Sequence, residues 1–212
     1  MNQSPSFNVE RGLWDAGFSH VAGIDEAGRG ALAGPVVAAA VVVAPEDENA
    51  PVWRAVRDSK LLSPSQRAEL EPQIQASALA WAIGTCEAAI IDRVGIAAAT
   101  RLAMQQAIER LAVPPDHLLI DWVRLPQVNI HQYSQPKADQ KMASVAAASI
   151  LAKVHRDRLM IAMAGQFPQY GFAMHKGYGA AAHLAAIARH GPCPEHRHSF
   201  APIARSPHLF DQ

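Results

Sequence analysis

Three acids in this chain stand where apolar runs break off, and a fourth stands just ahead of one. Asp25 and Glu26 lie side by side where "HVAGI" gives way to the glycine-rich "AGRGALAG". Asp121 closes the run "HLLI", and Asp139 follows "QPKA" just ahead of a long alanine-rich stretch. A carboxylate at the end of a buried strand loses its water and needs a compensating partner. Divalent cations are such a partner. Three or four carboxylates without cysteine select hard ions such as Mg²⁺ or Mn²⁺ over zinc. Two such ions about 4 Å apart would clamp a phosphodiester for in-line attack by water.

Each acid also has an ordinary reading. Asp121 could simply end a strand, and Asp139 is well placed as a helix N-cap. Asp25–Glu26 is harder to absorb, because neighbouring side chains on a strand face opposite ways. Both acids reach one site only if the strand ends or bends at Glu26, and that is the expectation. Gly28, Gly30 and Gly34 do not form a dinucleotide fingerprint, since Ala33 holds the third position and a strand follows. The run "GRG" reads instead as a turn that lets backbone approach a ligand, with the Arg29 guanidinium offered to phosphate or sugar. A plain tight turn is the alternative.

The elements that must carry these residues can be read from periodicity. Residues 8–17 suggest a short helix with Val9, Leu13 and Trp14 on one side. Residues 19–25, 35–44 and 78–87 read as strands. Ser63, Pro64 and Gln66 form a capping-box helix start, and Pro72 is expected to kink or end that helix. Met104, Ile108 and Leu111 align on a helix over 95–111. Residues 117–121 read as a buried strand, "NIHQYS" as a further short strand, and roughly 140–165 as a long helix. Beyond 166 the chain is rich in Gly, Pro and His, with a helix near 180–190. This order predicts an α/β domain with a mixed sheet and a helical C-terminal part.

Composition narrows the class. The 212 residues are 50% hydrophobic, enough for one ordinary domain that needs no staple. Two distant cysteines, Cys86 and Cys193, give no disulfide framework, so a reducing, cytoplasmic setting is expected. The N-terminus does not read as a signal peptide, and no apolar run is long enough to span a membrane. Net charge is zero but unevenly spread: residues 1–136 hold 10 Lys+Arg against 15 Asp+Glu, and residues 137–212 hold 9 against 4. An acidic part joined to a basic part suits a polyanion that reaches its acidic site through metal ions. "CPEHRH" has no second cysteine nearby and does not read as a zinc site.

A family resemblance joins these pieces. "AGIDEAGRGALAGPVVAAAVV", "DSKLLS", "LLID", "KADQKMASVAAASILAKVHRDRLM" and "YGFAMHKGYGAAAHLAAIARHGPCPEHRHSFAP" resemble, in order and spacing, the blocks of type 2 ribonuclease H, the bacterial ribonuclease HII family. The likeness covers about residues 8–203. It implies a single ribonuclease-H-like α/β domain over 1–212. Its mixed sheet would be flanked by helices, with a C-terminal helical region at roughly 166–203 and a tail at 204–212. It implies a site of Asp25, Glu26, Asp121 and Asp139 holding two Mg²⁺ or Mn²⁺ ions. The implied reaction cuts RNA–DNA hybrids, and single ribonucleotides in duplex DNA, on the 5′ side of the ribonucleotide, leaving a 3′-hydroxyl and a 5′-phosphate. Gly28, Arg29, Gly30 and Tyr178 match the family's readers of the ribonucleotide junction. A glycine loop can reach the 2′-hydroxyl, and a tyrosine can stack on the next sugar or base. Ser59 and Lys60 are candidate phosphate contacts, as are Lys141, Lys153, Arg156 and Arg158 on the long helix.

The chain departs from the family pattern at Trp122, Ala138, Gln140, Met142, His155 and Met174, none of them one of the four acids. A monomer is expected. In the tail "SPHLFDQ", Leu209–Phe210 could dock on a replication clamp or pack back on the domain. Two rival functions share the fold. A junction-resolvase-like nuclease is disfavoured by the Gly-Arg-Gly and Tyr178 pair. A non-catalytic hybrid binder is disfavoured by four acids that would only repel phosphate.

Overall fold

The computed structural model describes residues 4–205. Helix α1 (Asn8–Asp15) leads into strand β1 (Val21–Ala27) and strand β2 (Val36–Val42). Helix α2 (Pro64–Ser77), strand β3 (Ala80–Cys86), and helices α3 (Ala88–Val94) and α4 (Ile96–Glu109) follow. Strands β4 (His117–Asp121) and β5 (His131–Gln135) complete the sheet. Helix α5 (Ala143–Gln166), the short α6 (Phe172–His175) and α7 (Ala181–His190) follow, and a 3₁₀ turn at Ile203–Arg205 ends the described chain. The tail residues Leu209 and Phe210 lie outside the described residues.

The sheet runs β3-β2-β1-β4-β5. β1 pairs antiparallel with β2 and parallel with β4. β2 pairs antiparallel with β3, and β4 parallel with β5. The expected mixed α/β sheet is therefore present. β2, "VVAAAVV", is buried throughout because both its faces are covered. Ala38, Ala40 and Val42 join the core under α4, while Ala39, Val41 and Val43 join the core under α5. Small residues let the helices approach closely. A Cβ on Gly23 of β1 would come within 2.2 Å of the Ser144 backbone, so only glycine lets α5 cross there.

Three expectations need correction. β1 does not stop at Glu26 but runs on to Ala27, because β2 keeps pairing with it at Glu26↔Ala38 and Ala27↔Val37. Its other edge does end early: the last pair with β4 is Ile24↔Ile120. Asp139 is not an N-cap. It sits in a 3₁₀ turn at Ala138–Gln140, and the cap position of α5 is Met142, without a side-chain bond. Glu10 of α1 takes the vacant role from 134 residues away, accepting from Ser144 N at 2.9 Å and Ser144 Oγ at 2.7 Å. An acid at a helix N-terminus is favoured whatever its origin in the chain. Pro72 does not end α2, which continues to Ser77. Burial of Leu70 and Ile74 in the α5-side core outweighs the proline's helix penalty. The capping box forms as read, with Ser63 N donating to Gln66 Oε1 and Gln66 N to Ser63 Oγ.

The C-terminal part packs on the far end of α5, where Tyr170, Phe172 and Ile187 share a core with Leu32, Ala33 and Met160. His183 and His196 are fully buried there, their Nε2 atoms 3.1 Å apart.

Candidate active site

The site lies at the sheet end where β1 and β4 part. Alternation along each strand assigns the faces. Gly23 faces α5, so Asp25 does too. Leu119 packs with Val145 and Met142 near the start of α5, which puts Asp121 on that same side. Glu26 falls on the opposite face at the open corner. The two adjacent acids thus lie on two sides of the sheet at its open corner, in an unbroken strand.

Asp25 is 5% exposed and accepts from Glu26 N at 2.7 Å. Burial, then the charges of Glu26 and Asp121, hold its carboxyl well above the ordinary range. Burial also raises Glu26, opposed by a hydrogen bond from Trp122 Nε1 to Glu26 Oε1 at 3.1 Å. Asp121 is raised by burial, and its Oδ1 accepts from Ala138 N at 2.8 Å, which ties β4 to the turn carrying Asp139. Asp139 is 2% exposed and is pushed up to about 6 by burial and by the neighbouring Asp58. Lys60 Nζ stands 3.7 Å from Asp139 Oδ2. Partial burial lowers the Lys60 ammonium, but Asp139, Asp58, Asp25 and Asp121 more than offset this and raise it. The four acids named from sequence thus form one electrostatic cluster.

Among the described residues, no three acids, imidazoles or thiols close into a finished metal cage. The donor set still fits a hard cation. It is all carboxylate and mutually repelling, and Glu26 Oε2 is buried with no partner.

The Gly28-Arg29-Gly30 turn is built from behind by two buried arginines. Arg197 Nη2 donates to Gly28 O and Nη1 to Arg29 O, both at 2.8 Å, and Nε donates to Gly34 O at 3.0 Å. Arg156 donates to Pro35 O at 2.9 Å, Lys176 O at 3.0 Å and Ala33 O at 3.1 Å. Gly28 has φ +88, and a Cβ there would meet Arg156 Nε at 1.8 Å. Gly30 is exposed and open. The Arg29 guanidinium lies 3.6 Å from the Trp122 ring centroid. Tyr178 is 38% exposed, with Arg156 Cζ 5.3 Å and Lys153 Nζ 5.8 Å from its ring. The Arg156 brace on the Lys176 carbonyl therefore joins the Tyr178 segment to the glycine turn.

Some expected contacts lie elsewhere. Ser59 is buried, its hydroxyl 2.8 Å from Ser149 Oγ. Arg156 is fully buried and cannot meet phosphate from the surface. Arg158 pairs with Glu71, and Lys153 with Asp157 at 2.6 Å. Sequence reading missed Asp58, whose carboxylate accepts from Lys60 N at 2.9 Å and Gln140 Nε2 at 3.2 Å. Its signal was adjacency to Ser59–Lys60 in one block. It also missed the braces Arg156 and Arg197. Among the described residues, three non-glycine residues adopt left-handed backbone: Trp122 (φ 48), Lys137 (φ 60) and Lys176 (φ 52). They stand next to Asp121, just before Asp139 and two residues before Tyr178, which is the clustering expected of a working site.

Comparison with known proteins gives the chain's relatives and the fold it shares. The family model described as Ribonuclease HII matches residues 22–203. Ribonuclease HII of Geobacter metallireducens is 52% identical over 198 residues, covering 90% of this chain and 91% of that protein. The Roseiflexus castenholzii protein of the same name is 50% identical over 200 residues, covering 94% and 89%. Ribonuclease H2 from Pyrococcus horikoshii superimposes with a TM-score of 0.74 at 25% identity over 88% of this chain and 96% of that one. The Archaeoglobus fulgidus ribonuclease HII solved in complex with PCNA gives 0.69 at 27% identity, covering 84% and 91%. With the acid cluster at the sheet end and the braced glycine turn beside it, the chain belongs to the ribonuclease HII family of metal-dependent endoribonucleases.

Proposed function

We propose that this protein hydrolyses the RNA strand of RNA–DNA hybrids and excises single ribonucleotides embedded in duplex DNA. Cleavage falls 5′ of the ribonucleotide and leaves a 3′-hydroxyl and a 5′-phosphate. The observation that carries this reading is the buried Asp25 carboxylate in mutual repulsion with Glu26 and Asp121, beside a glycine turn fixed by Arg197.

Asp25, Glu26, Asp121 and Asp139 would hold two Mg²⁺ or Mn²⁺ ions. Bound there, the ions supply Lewis-acid stabilisation to the attacking and leaving oxygens. The chain's own groups do the rest. The exposed edge of the Gly28–Gly30 turn meets the ribose, where the 2′-hydroxyl separates RNA from DNA. Arg29 and Lys60 supply positive charge to phosphate. Tyr178 stacks on the following nucleotide. Ser59 acts by anchoring its own 3₁₀ turn, Ser59–Leu61, which carries Lys60, to α5 through Ser149.

The test is a DNA duplex carrying one ribonucleotide, incubated with Mg²⁺ or Mn²⁺. A single cut 5′ of the ribonucleotide is expected, with loss of at least about 10³-fold in Asp25→Asn. Equal cutting of an all-DNA duplex, or undiminished cutting by the variant, would overturn the reading. A clamp contact through Leu209–Phe210 is a separate proposal, motivated by the tail sequence and by the archaeal relative solved with PCNA. A tail peptide that shows no anisotropy change with purified clamp would end it.

A further inference from the structure

Trp122 follows Asp121 directly, and the reaction proposed above gives it no task. Its backbone is costly: φ is +48, a region bulky residues rarely occupy. The surrounding chain enforces it. Trp122 N donates to Gln135 O at 3.0 Å, and Val123 N to Asp121 O at 2.6 Å. What this conformation delivers is the indole at the open corner of the sheet. Its Nε1–H donates to Glu26 Oε1 at 3.1 Å, and its ring lies 3.6 Å from the Arg29 guanidinium. Glu26 is thereby held by one oxygen, while Oε2 stays buried and unpartnered. A carboxylate pinned this way presents its second oxygen in a fixed direction, as outer hydrogen bonds do for metal ligands generally. A guanidinium lying on an indole face keeps its N–H edges free for hydrogen bonding.

We propose that Trp122 is a positioning residue with two separable actions. Its N–H fixes Glu26 for a divalent cation, and its ring fixes Arg29 for the ribonucleotide strand. The second action rests on the function proposed above; the first requires only cation binding.

Two variants separate the actions. Trp122→Phe keeps a ring and loses the N–H. Trp122→Gly removes both while suiting the left-handed backbone; because the indole also packs against the sheet core, a fall in Tm of a few degrees is expected, and every readout is taken well below it. Mn²⁺ binding is measured by calorimetry on the intact protein without nucleic acid, and KM and kcat on the single-ribonucleotide duplex. Trp122→Phe should weaken Mn²⁺ about tenfold with KM nearly unchanged. Trp122→Gly should weaken Mn²⁺ equally and also raise KM several-fold. In an Arg29→Ala background, Trp122→Gly should leave KM where Arg29→Ala put it.

Unchanged or tighter Mn²⁺ binding in Trp122→Phe would overturn the first action. Equal KM in the two variants, or additive effects with Arg29→Ala, would overturn the second. A fall in Tm that carries every readout down together would make Trp122 merely structural. If the wild type binds Mn²⁺ but leaves the duplex intact, the proposed function fails while calorimetry still judges the Glu26 contact.

Discussion

Asp25 shows what a cluster of buried acids costs a single residue. It is buried, raised by its neighbours, and helped within the chain by a 2.7 Å bond from Glu26 N. Removing the charge while keeping the shape should relieve repulsion. Asp25→Asn is therefore expected to raise the metal-free Tm at neutral pH even as activity disappears. Each kcal/mol relieved shifts Tm by about 2–4 °C in a domain of this size. Asp139 adds a pH signature. With its folded value at about 6, above the ordinary range, the folded chain binds this proton more tightly than the unfolded chain does. Its charge destabilises above pH 6 and ceases to matter once it is protonated. The Tm advantage of Asp139→Asn without metal should thus be clear at pH 8 and close as pH falls below 6. Mn²⁺ uptake by the wild type should weaken over the same window. A Tm gap independent of pH would contradict the assignment. Asp25, Glu26 and Asp121 were legible as a group because they end apolar runs, and Asp139 because it stands just ahead of one. Asp58 was not, because it precedes a 3₁₀ turn in a polar stretch and reaches the cluster only through the fold.

Among the elements, β1 carries the main lesson. Alternation along the strand suggested a break at Glu26, yet β2 continues the pairing and only the β4 edge opens. Local pattern cannot tell which edge of a strand will keep its partner. The same limit hid the cap of α5, supplied by Glu10, and the braces of the glycine turn. Arg197 reaches Gly28 across 169 residues, and no local periodicity encodes such a pairing. That brace makes a firm prediction. Arg197→Met would leave the Gly28, Arg29 and Gly34 carbonyls without their buried donors, at a cost of about 2–4 kcal/mol. At temperatures where the variant remains folded, KM for ribonucleotide duplex should rise more than Mn²⁺ affinity falls. A uniform loss of both would mean that the turn and the acids are not separable.

Over the whole molecule, the basic C-terminal part is less basic on its surface than its sequence. Of its nine Lys and Arg, Arg156 and Arg197 are internal, while Lys153 and Arg158 are ion-paired. Of the rest, Lys137 and Lys141 are exposed and Lys176 is half-buried, and the N-terminal part adds exposed Lys60 and half-buried Arg29 beside the acids. Binding of a hybrid duplex to Asp25→Asn, followed by anisotropy against KCl, should therefore give a log–log slope shallower than about −5. A slope near −8 would mean that the paired residues are recruited to phosphate.

The long reach from Arg197 back to Gly28 also bears on how the protein is made. Every acid of the cluster has been synthesised once Asp139 leaves the ribosome, but the donor that shapes the glycine turn is still 58 residues away. On the function proposed above, a nascent chain would carry the four acids before the glycine turn is braced, so discrimination of ribose from deoxyribose would be completed only after the acids are in place.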